Sequence, residues 1–236
     1  MSISVAMAAY NGSTYIKEQI ASIMPQLGQA DELIISCDPS VDKTWDIICE
    51  QSQTDPRIKV YRGPGKGLIL NFQKAIESCH GDYIFLCDQD DIWCPNKVKY
   101  MVECFSNTNA DVILHDACIV NQDLVCLQPS YFEFHNTGGG YWRNIIKNGF
   151  IGCCMAFKRS FRTLIIPFPP NIPMHDQWIG LLGLKYGKVV FLRKQLIYYR
   201  RHSSNATFSH HASVLQMLKW RVNILLALGE RARTLK

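Results

Sequence analysis

Residues 83–91 of the chain read YIFLCDQDD, an apolar run that ends abruptly in acidic residues. The first five of these residues are typical of a buried strand. Three carboxylates follow within four positions, at Asp88, Asp90 and Asp91. Because such a cluster is costly at a strand end unless a cation compensates it, we expect a divalent metal that carries a phosphorylated ligand. The alternative is a solvated acidic turn in front of a helix, whose start is indicated at residues 95–98.

The first hundred residues alternate between strand patterns and helix patterns. Apolar runs predict further strands at residues 3–9, 32–37 and 58–61, and amphipathic segments lie between them. This alternation predicts an α/β protein with a doubly wound, mostly parallel sheet.

Polar residues follow three of the predicted strands, at Asn11, Asp38 and Asp88. In a doubly wound sheet, ligands bind beyond the carboxyl ends of the strands. We therefore expect these three side chains to meet at one crevice. Each of them taken alone is equally compatible with an ordinary turn.

The second half of the chain has a different character. Strand patterns occur at residues 111–120, 149–157 and 189–199, and the Pro-, Gly- and aromatic-rich segment 128–143 predicts a mobile loop. From Ser213 onward, an apolar helical stripe is surrounded by basic residues. This pattern predicts an amphipathic tail that either rests on an anionic membrane or packs on protein.

Composition narrows the class of protein. The chain has 236 residues, of which 47% are hydrophobic, and this predicts one large domain with a substantial core. A net charge of +5 is compatible with phosphate ligands and does not require nucleic acid, so we expect no nucleic-acid partner. The ten cysteines form no Cys-x-x-Cys pair, and no signal peptide or membrane-spanning run is visible. We therefore expect reduced thiols and a cytoplasmic location.

The order and spacing of the motifs resemble the family 2 glycosyltransferases over approximately residues 1–205. The motifs are Ala9-Tyr10-Asn11-Gly12, Asp38, the segment 81–93 and His175-Asp176. Residues 87–93 and 199–205 are most similar to the rhamnosyltransferase-like branch that acts in O-antigen and capsule synthesis. The resemblance implies a GT-A fold, in which a Rossmann-like sheet is joined by a smaller acceptor-side sheet. It also implies a nucleotide-sugar-binding half at 1–100, an acceptor-binding half at 101–205 and a helical tail at 206–236.

The resemblance further implies roles for individual residues. Asp176 would be the general base, and Asp90 with His202 would bind Mg²⁺ or Mn²⁺ at the diphosphate. The residues implied to hold the nucleotide sugar are Ala9, Tyr10, Asn11, Asp38, Asn71, Asp88, Gln89 and Arg200. From the residues alone, Asp176 is also compatible with a helix cap, His202 with a packing role and Arg200 with a surface charge.

Two positions depart from the family pattern. Pro39-Ser40 follows Asp38 where a second Asp, Gly and Ser are usual, and His175 stands where Glu usually precedes the catalytic Asp. The first departure affects the expected contact with the nucleotide base. The second leaves Asp176 itself in place.

The implied reaction moves one sugar from a UDP-, dTDP- or GDP-linked donor to a hydroxyl of a glycan. The acceptor is expected to be lipid-linked, on the inner face of the cytoplasmic membrane, in bacterial surface polysaccharide synthesis. A metal would stabilise the leaving diphosphate, and a single base opposite to it implies inversion. The expected enzyme is non-processive, because no helices for threading a polymer are visible. The alternatives are a sugar nucleotidylyltransferase and an inactive nucleotide-sugar-binding module.

Overall fold

The first half of the chain forms four strands with helices between them. The computed structural model describes residues 1–202 and 213–235. The elements are β1 (Ile3–Ala9), α1 (Ile16–Ile23), β2 (Glu32–Cys37), α2 (Thr44–Thr54), β3 (Ile58–Arg62), α3 (Leu68–Glu77) and β4 (Tyr83–Asp88). The strands that the sequence predicts here agree with the structure to within one residue at their ends, because β1, β2 and β4 are almost wholly buried and read as continuous apolar runs.

The second half supplies five further strands and six helices within the described ranges. They are β5 (Ile92–Trp93), α4 (Lys97–Thr108), β6 (Val112–Val120), β7 (Cys126–Gln128), α5 (Tyr131–His135), α6 (Tyr141–Ile146), β8 (Met155–Lys158), α7 (Arg162–Ile165), α8 (His175–Tyr186), β9 (Val189–Arg200) and α9 (Val214–Thr234). Two predictions are corrected. The segment 128–143 contains α5 and the first half of α6, since Phe132 anchors it in the core. The predicted strand at 149–157 begins only at Met155, after a 3₁₀ turn at Gly152–Cys154.

All nine strands belong to one sheet, in the order β3-β2-β1-β4-β8-β6-β9-β5, with β7 paired to β6. The pairs β3-β2, β2-β1, β1-β4 and β6-β9 are parallel. Strand β8 runs antiparallel to both β4 and β6, and so it joins the two halves of the sheet. The predicted α/β class with a mostly parallel sheet is confirmed. The expected smaller second sheet is corrected, because the strands of the second half extend this same sheet.

The register of β1 places the ends of three strands at one level. Ala9 pairs with Cys37 of β2, and Ala8 pairs with Asp88 of β4. The residues that follow these strands therefore leave the sheet at the same edge. Asp38 and Asp88, two of the three polar residues predicted to meet at one crevice, are consequently placed at this edge together.

The C-terminal helix α9 packs on the body of the protein through one face. Ile224, Ala227 and Leu228 are buried, and the Arg231 guanidinium donates hydrogen bonds of 2.9 and 3.2 Å to the carbonyl oxygens of Leu164 and Ile166. Residues 1–202 and 213–235 contain no helix with the length and hydropathy of a membrane span. The predicted boundary at 205/206, and Ser203 to Asn205 of the closing motif, lie outside the described residues.

Candidate active site

A cavity of about 590 Å³ opens at the carboxyl edge of β1, β2 and β4. Loops after these strands form one side, and the start of α8 forms the other. Most of the predicted site residues line it, namely Ala9, Tyr10, Asp38, Asn71, Asp88, Gln89, Asp90 and Asp176. The fold thus brings residues from five separate segments to one pocket.

Asp38 is held at the cavity by backbone groups. Its N–H donates to the Ala9 carbonyl at 2.9 Å, and its Oδ1 accepts from the Gly65 N–H at 2.8 Å. The Asn71 amide donates to the same Ala9 carbonyl at 3.1 Å. A Cβ at Gly63 would lie 2.4 Å from Oδ1 of Asp38, so glycine is required for this close approach. Buried acceptors of this kind suit the N–H and hydroxyl groups of a nucleoside.

Hydrogen bonds between the Gln89 side chain and the Tyr10 backbone join the ends of β4 and β1. The Tyr10 N–H donates to Oε1 of Gln89 at 2.9 Å, and Nε2 of Gln89 donates to the Tyr10 carbonyl at 2.8 Å. Asn11, which was also expected at the donor, is not among the residues that line the cavity. Its φ of 46° places it in the left-handed region. Its side chain accepts from the Val41 N–H and its own N–H donates to Ser40, so it joins two loops.

The two predicted metal ligands lie side by side. Nε2 of His202 is 2.9 Å from Oδ2 of Asp90, and both side chains are largely buried. The His202 ring packs on Tyr15 with a centroid separation of 4.7 Å. A carboxylate oxygen and an imidazole nitrogen at this separation form a donor set that Mn²⁺ or Mg²⁺ accepts. These residues therefore fit the expected divalent ion.

A second set of possible ligand atoms lies deeper, on Asp88, Asp91 and Cys153, with all of them within 4.8 Å of one another. Burial, and then the charge of Asp90, raise the pKa of Asp91 to about 7. Burial also raises the pKa values of Asp88 and Cys153 well above their usual ranges. Because a protonated thiol is a poor ligand, this deeper set fits a hard cation less well than the pair of Asp90 and His202.

Asp176 is the second residue of α8 and only 5% exposed. Its Oδ1 accepts hydrogen bonds from the side chain of Asn148, at 3.2 Å, and from the N–H of Gln177. Burial raises the pKa of Asp176 to about 6, and these hydrogen bonds oppose the rise because they stabilise the carboxylate. Asn148 was not among the predicted site residues, since no local pattern marks a residue whose hydrogen-bond partner is 28 positions away.

Arg200, which was expected to contact the donor, is not among the residues that line the cavity. Its guanidinium donates to Glu18 at 2.6 Å and to the Gln122 carbonyl at 3.0 Å, and stacks over Tyr15 at 4.6 Å. These contacts hold the guanidinium in a buried position, where only 4% of Arg200 is exposed. The neighbouring Tyr199, which was not a predicted site residue, lines the cavity.

Comparison of the chain with known proteins shows the family to which it belongs. The chain matches the family described as Glycosyl transferase family 2 over residues 4–164. It is 36% identical over 223 residues to the dTDP-rhamnosyl transferase RfbG of Shigella flexneri, which covers 84% of this chain and 72% of that protein. The chain therefore belongs to glycosyl transferase family 2, and the predicted family and enzyme class are confirmed.

Another relative and a solved structure are consistent with this family assignment. A β-1,3-glucosyltransferase of Escherichia coli, WfgD, described as acting from UDP-Glc on α-D-GlcNAc-diphosphoundecaprenol, is 27% identical over 188 residues, 78% of this chain and 70% of that protein. The crystal structure of S. aureus TarS 1-349 in complex with UDP-GlcNAc superposes with a TM-score of 0.72 at 21% identity, over 96% of this chain and 67% of that one. This likeness confirms the GT-A fold. The chain spans about two thirds of the length of several matched proteins.

Proposed function

We propose that this chain transfers one sugar from a nucleotide diphosphate sugar to a hydroxyl of a glycan, with inversion, in bacterial surface polysaccharide synthesis. One observation carries the proposal. Asp38, Asp88, Asp90 and Asp176 line a single cavity, and His202 contacts Asp90 at its edge. Four carboxylates that face one cavity repel each other and attract a cation that bridges them to an anionic ligand.

The nucleotide sugar occupies the part of the cavity formed by residues 1–100. Asp38, the backbone at Tyr10 and the side chain of Asn71 surround the nucleoside position. Support comes from relatives whose names specify dTDP- and UDP-linked donors, and from a TarS structure that holds UDP-GlcNAc. The acceptor half, residues 101–205, supplies Asp176 and Tyr199 on the opposite wall.

Asp90 and His202 would hold Mg²⁺ or Mn²⁺ at the diphosphate. When bound, such an ion neutralises charge that develops on the leaving diphosphate, a contribution worth several kcal/mol in metal-assisted reactions. The side chains themselves fix its position, because His202 is packed on Tyr15 and Asp90 follows the end of β4. The proposal therefore includes metal dependence.

Asp176 acts as the general base. At pH 7 a carboxyl group with a pKa of about 6 is mostly ionised and can accept a proton. The acceptor oxygen forms a bond to the anomeric carbon as its proton moves to Asp176, and the bond from that carbon to the diphosphate breaks with its electron pair on the phosphate oxygen. A single displacement of this kind inverts the anomeric configuration.

The acceptor is a lipid-linked glycan, and the chain contacts the cytoplasmic membrane through α6 and α9. Both helices expose apolar side chains, namely Trp142, Ile146, Leu215, Leu218, Val222 and Leu226. Arg221 of α9 donates to the Ile146 carbonyl at 2.8 Å, so these side chains belong to adjacent helices. We call them the apolar patch. Exposed Trp and Leu flanked by Lys and Arg are typical of surfaces that bind at a bilayer interface.

The apolar patch is linked to the proposed base. Nε2 of Gln177, next to Asp176, donates to the Asn144 carbonyl of α6 at 2.8 Å. Asn148, which binds Asp176, follows α6 by two positions. A membrane that contacts α6 would therefore present a lipid-linked acceptor close to Asp176.

The experiment is a calorimetric titration with UDP-glucose, UDP-GlcNAc, dTDP-rhamnose and GDP-mannose, with and without Mn²⁺, followed by transfer assays. We expect one donor to bind in an Mn²⁺-dependent way and to give a product with a single added sugar of inverted configuration. Formation of a nucleotide sugar from a nucleoside triphosphate and a sugar phosphate would favour the nucleotidylyltransferase alternative. Donor binding without any transfer would favour the inactive binding module.

A further inference from the structure

His175 is a buried side chain in the cavity to which the proposed mechanism gives no role. It begins α8, directly before Asp176, and is 6% exposed. Its ring stacks on Phe72 of α3 with a centroid separation of 4.2 Å. A Cβ at Gly152 would lie 2.7 Å from its Nε2. The ring is therefore fixed by Phe72 on one face and by the Gly152 backbone at one edge.

The two ring nitrogens of His175 are not equivalent. Nε2 is buried and has no hydrogen-bond partner in the described part of the chain. A buried N–H without an acceptor is costly there, whereas an unpaired acceptor is tolerated more often. Burial lowers the pKa of His175 to about 3, so the ring is neutral near pH 7. The single proton then belongs on Nδ1, the nitrogen that is left for a ligand.

The surroundings of His175 indicate what kind of ligand this is. Leu68, Ile151 and Met174 line the same cavity and are apolar. Its acidic lining residues are Asp38, Asp88, Asp90 and Asp176, and no Lys or Arg of the described residues lines it. A carboxylate on the transferred sugar would face this acidic lining without a side-chain cation to pair with. An uncharged hydroxyl group is not repelled by these acidic residues.

We propose that His175 selects the transferred sugar, because its Nδ1–H donates a hydrogen bond to a hydroxyl oxygen of an uncharged hexose or deoxyhexose. The site accordingly discriminates against uronic acids. This inference rests on the proposed function, since it assigns a role within the donor site. It makes His175 a specificity residue, and Asp176 remains the base.

The test compares each nucleotide sugar with its own nucleoside diphosphate. Calorimetry with Mn²⁺ gives Kd values for UDP, UDP-glucose, UDP-GlcNAc, UDP-glucuronic acid, dTDP and dTDP-rhamnose. The gain from the sugar is the ratio of the Kd of the nucleoside diphosphate to the Kd of the nucleotide sugar. For the preferred neutral donor, we expect His175→Phe to reduce this ratio by about three- to tenfold. The Kd of the diphosphate itself should not change. UDP-glucuronic acid should bind wild type no more tightly than UDP.

Two further variants separate hydrogen bonding from packing. His175→Gln keeps an N–H donor and should retain most of the gain from the sugar. His175→Met has no donor and repeats the measurement if the Phe variant does not fold, as judged by its Tm. The inference is overturned if the variants without an N–H keep the full gain, if they weaken the diphosphate equally, or if UDP-glucuronic acid is the preferred donor.

The same data distinguish this inference from the proposed function. A wild-type chain that binds and transfers a neutral sugar, with a His175→Phe variant that binds it equally well, overturns the selection role alone. A wild-type chain that binds none of these nucleotides overturns the proposed function and this inference together.

Discussion

Nε2 of His202 lies 2.9 Å from Oδ2 of Asp90, although 112 positions separate the two residues in the chain. This contact joins the segment after β9 to the turn after β4. The two residues implied as metal ligands are therefore adjacent in the folded protein. The short distance between these two side chains supports the proposed metal site, which neither residue would support by its sequence position alone.

Removing either ligand should weaken the effect of Mn²⁺ on donor binding. We expect Asp90→Asn and His202→Gln to reduce the Mn²⁺-dependent gain in nucleotide-sugar affinity by at least about tenfold, because each removes one ligand. Calorimetry with and without Mn²⁺ measures this gain. Asp46→Asn, on the exposed face of α2, is the matched control. An unchanged gain in Asp90→Asn would contradict the assignment.

The pH dependence of transfer should report Asp176. Because the base must be ionised and its pKa is about 6, kcat/KM should fall about tenfold per unit below that pH. Asp176→Asn should lower kcat by about 10²–10⁴ and leave donor affinity within about threefold. A variant that retains normal transfer would rule out Asp176 as the base.

The same pKa predicts an effect on stability. The folded protein raises the pKa of Asp176 above its ordinary 3.8, so it favours the protonated form. The free energy of unfolding should therefore fall as the pH rises from about 4 through about 6. Asp176→Asn should lack this part of the decrease, which thermal melts across that range would measure. An identical slope in wild type and variant would contradict the burial effect.

Asn148 should set the acidic limb of the pH profile. Its amide donates to the Asp176 carboxylate and so favours the ionised form. We expect Asn148→Ala to move the limb upward by about one pH unit, since one unit corresponds to about 1.4 kcal/mol. Asn107→Ala, exposed on α4, is the control and should leave the profile in place. A downward shift would be inconsistent with this hydrogen bond.

The apolar patch should bind anionic membranes. Sedimentation with phosphatidylglycerol vesicles should recover the wild-type chain, and Leu218→Ser with Val222→Ser should reduce recovery severalfold by removing exposed apolar area. Asn223→Ser on the same helix is the matched control. Unchanged recovery would contradict membrane contact, and a change in oligomeric state would indicate a protein partner at this surface instead.

Much of the fold was predictable because it depends on local patterns. The buried strands β1, β2 and β4 appear as apolar runs, and the acidic residues after β4 mark where the chain leaves the core. The segment 128–143 was mispredicted, since its Gly- and Pro-rich composition conceals Phe132, whose burial holds α5 in place. The composition of a segment indicates its average tendency to be flexible. One buried aromatic side chain can nevertheless hold such a segment in a defined helix.

The order of strands and turns along the chain was enough to predict that Asp38 and Asp88 follow strand ends and lie at one edge of a parallel sheet. The contacts of Asn11 with the Val41 N–H, of Arg200 with Glu18 and of Asn148 with Asp176 could not be predicted in this way. The two kinds of feature differ in how far apart in the chain the interacting groups lie. Strand periodicity is set by neighbouring residues, whereas a hydrogen-bond partner or a shifted pKa depends on groups that the fold brings from far along the chain.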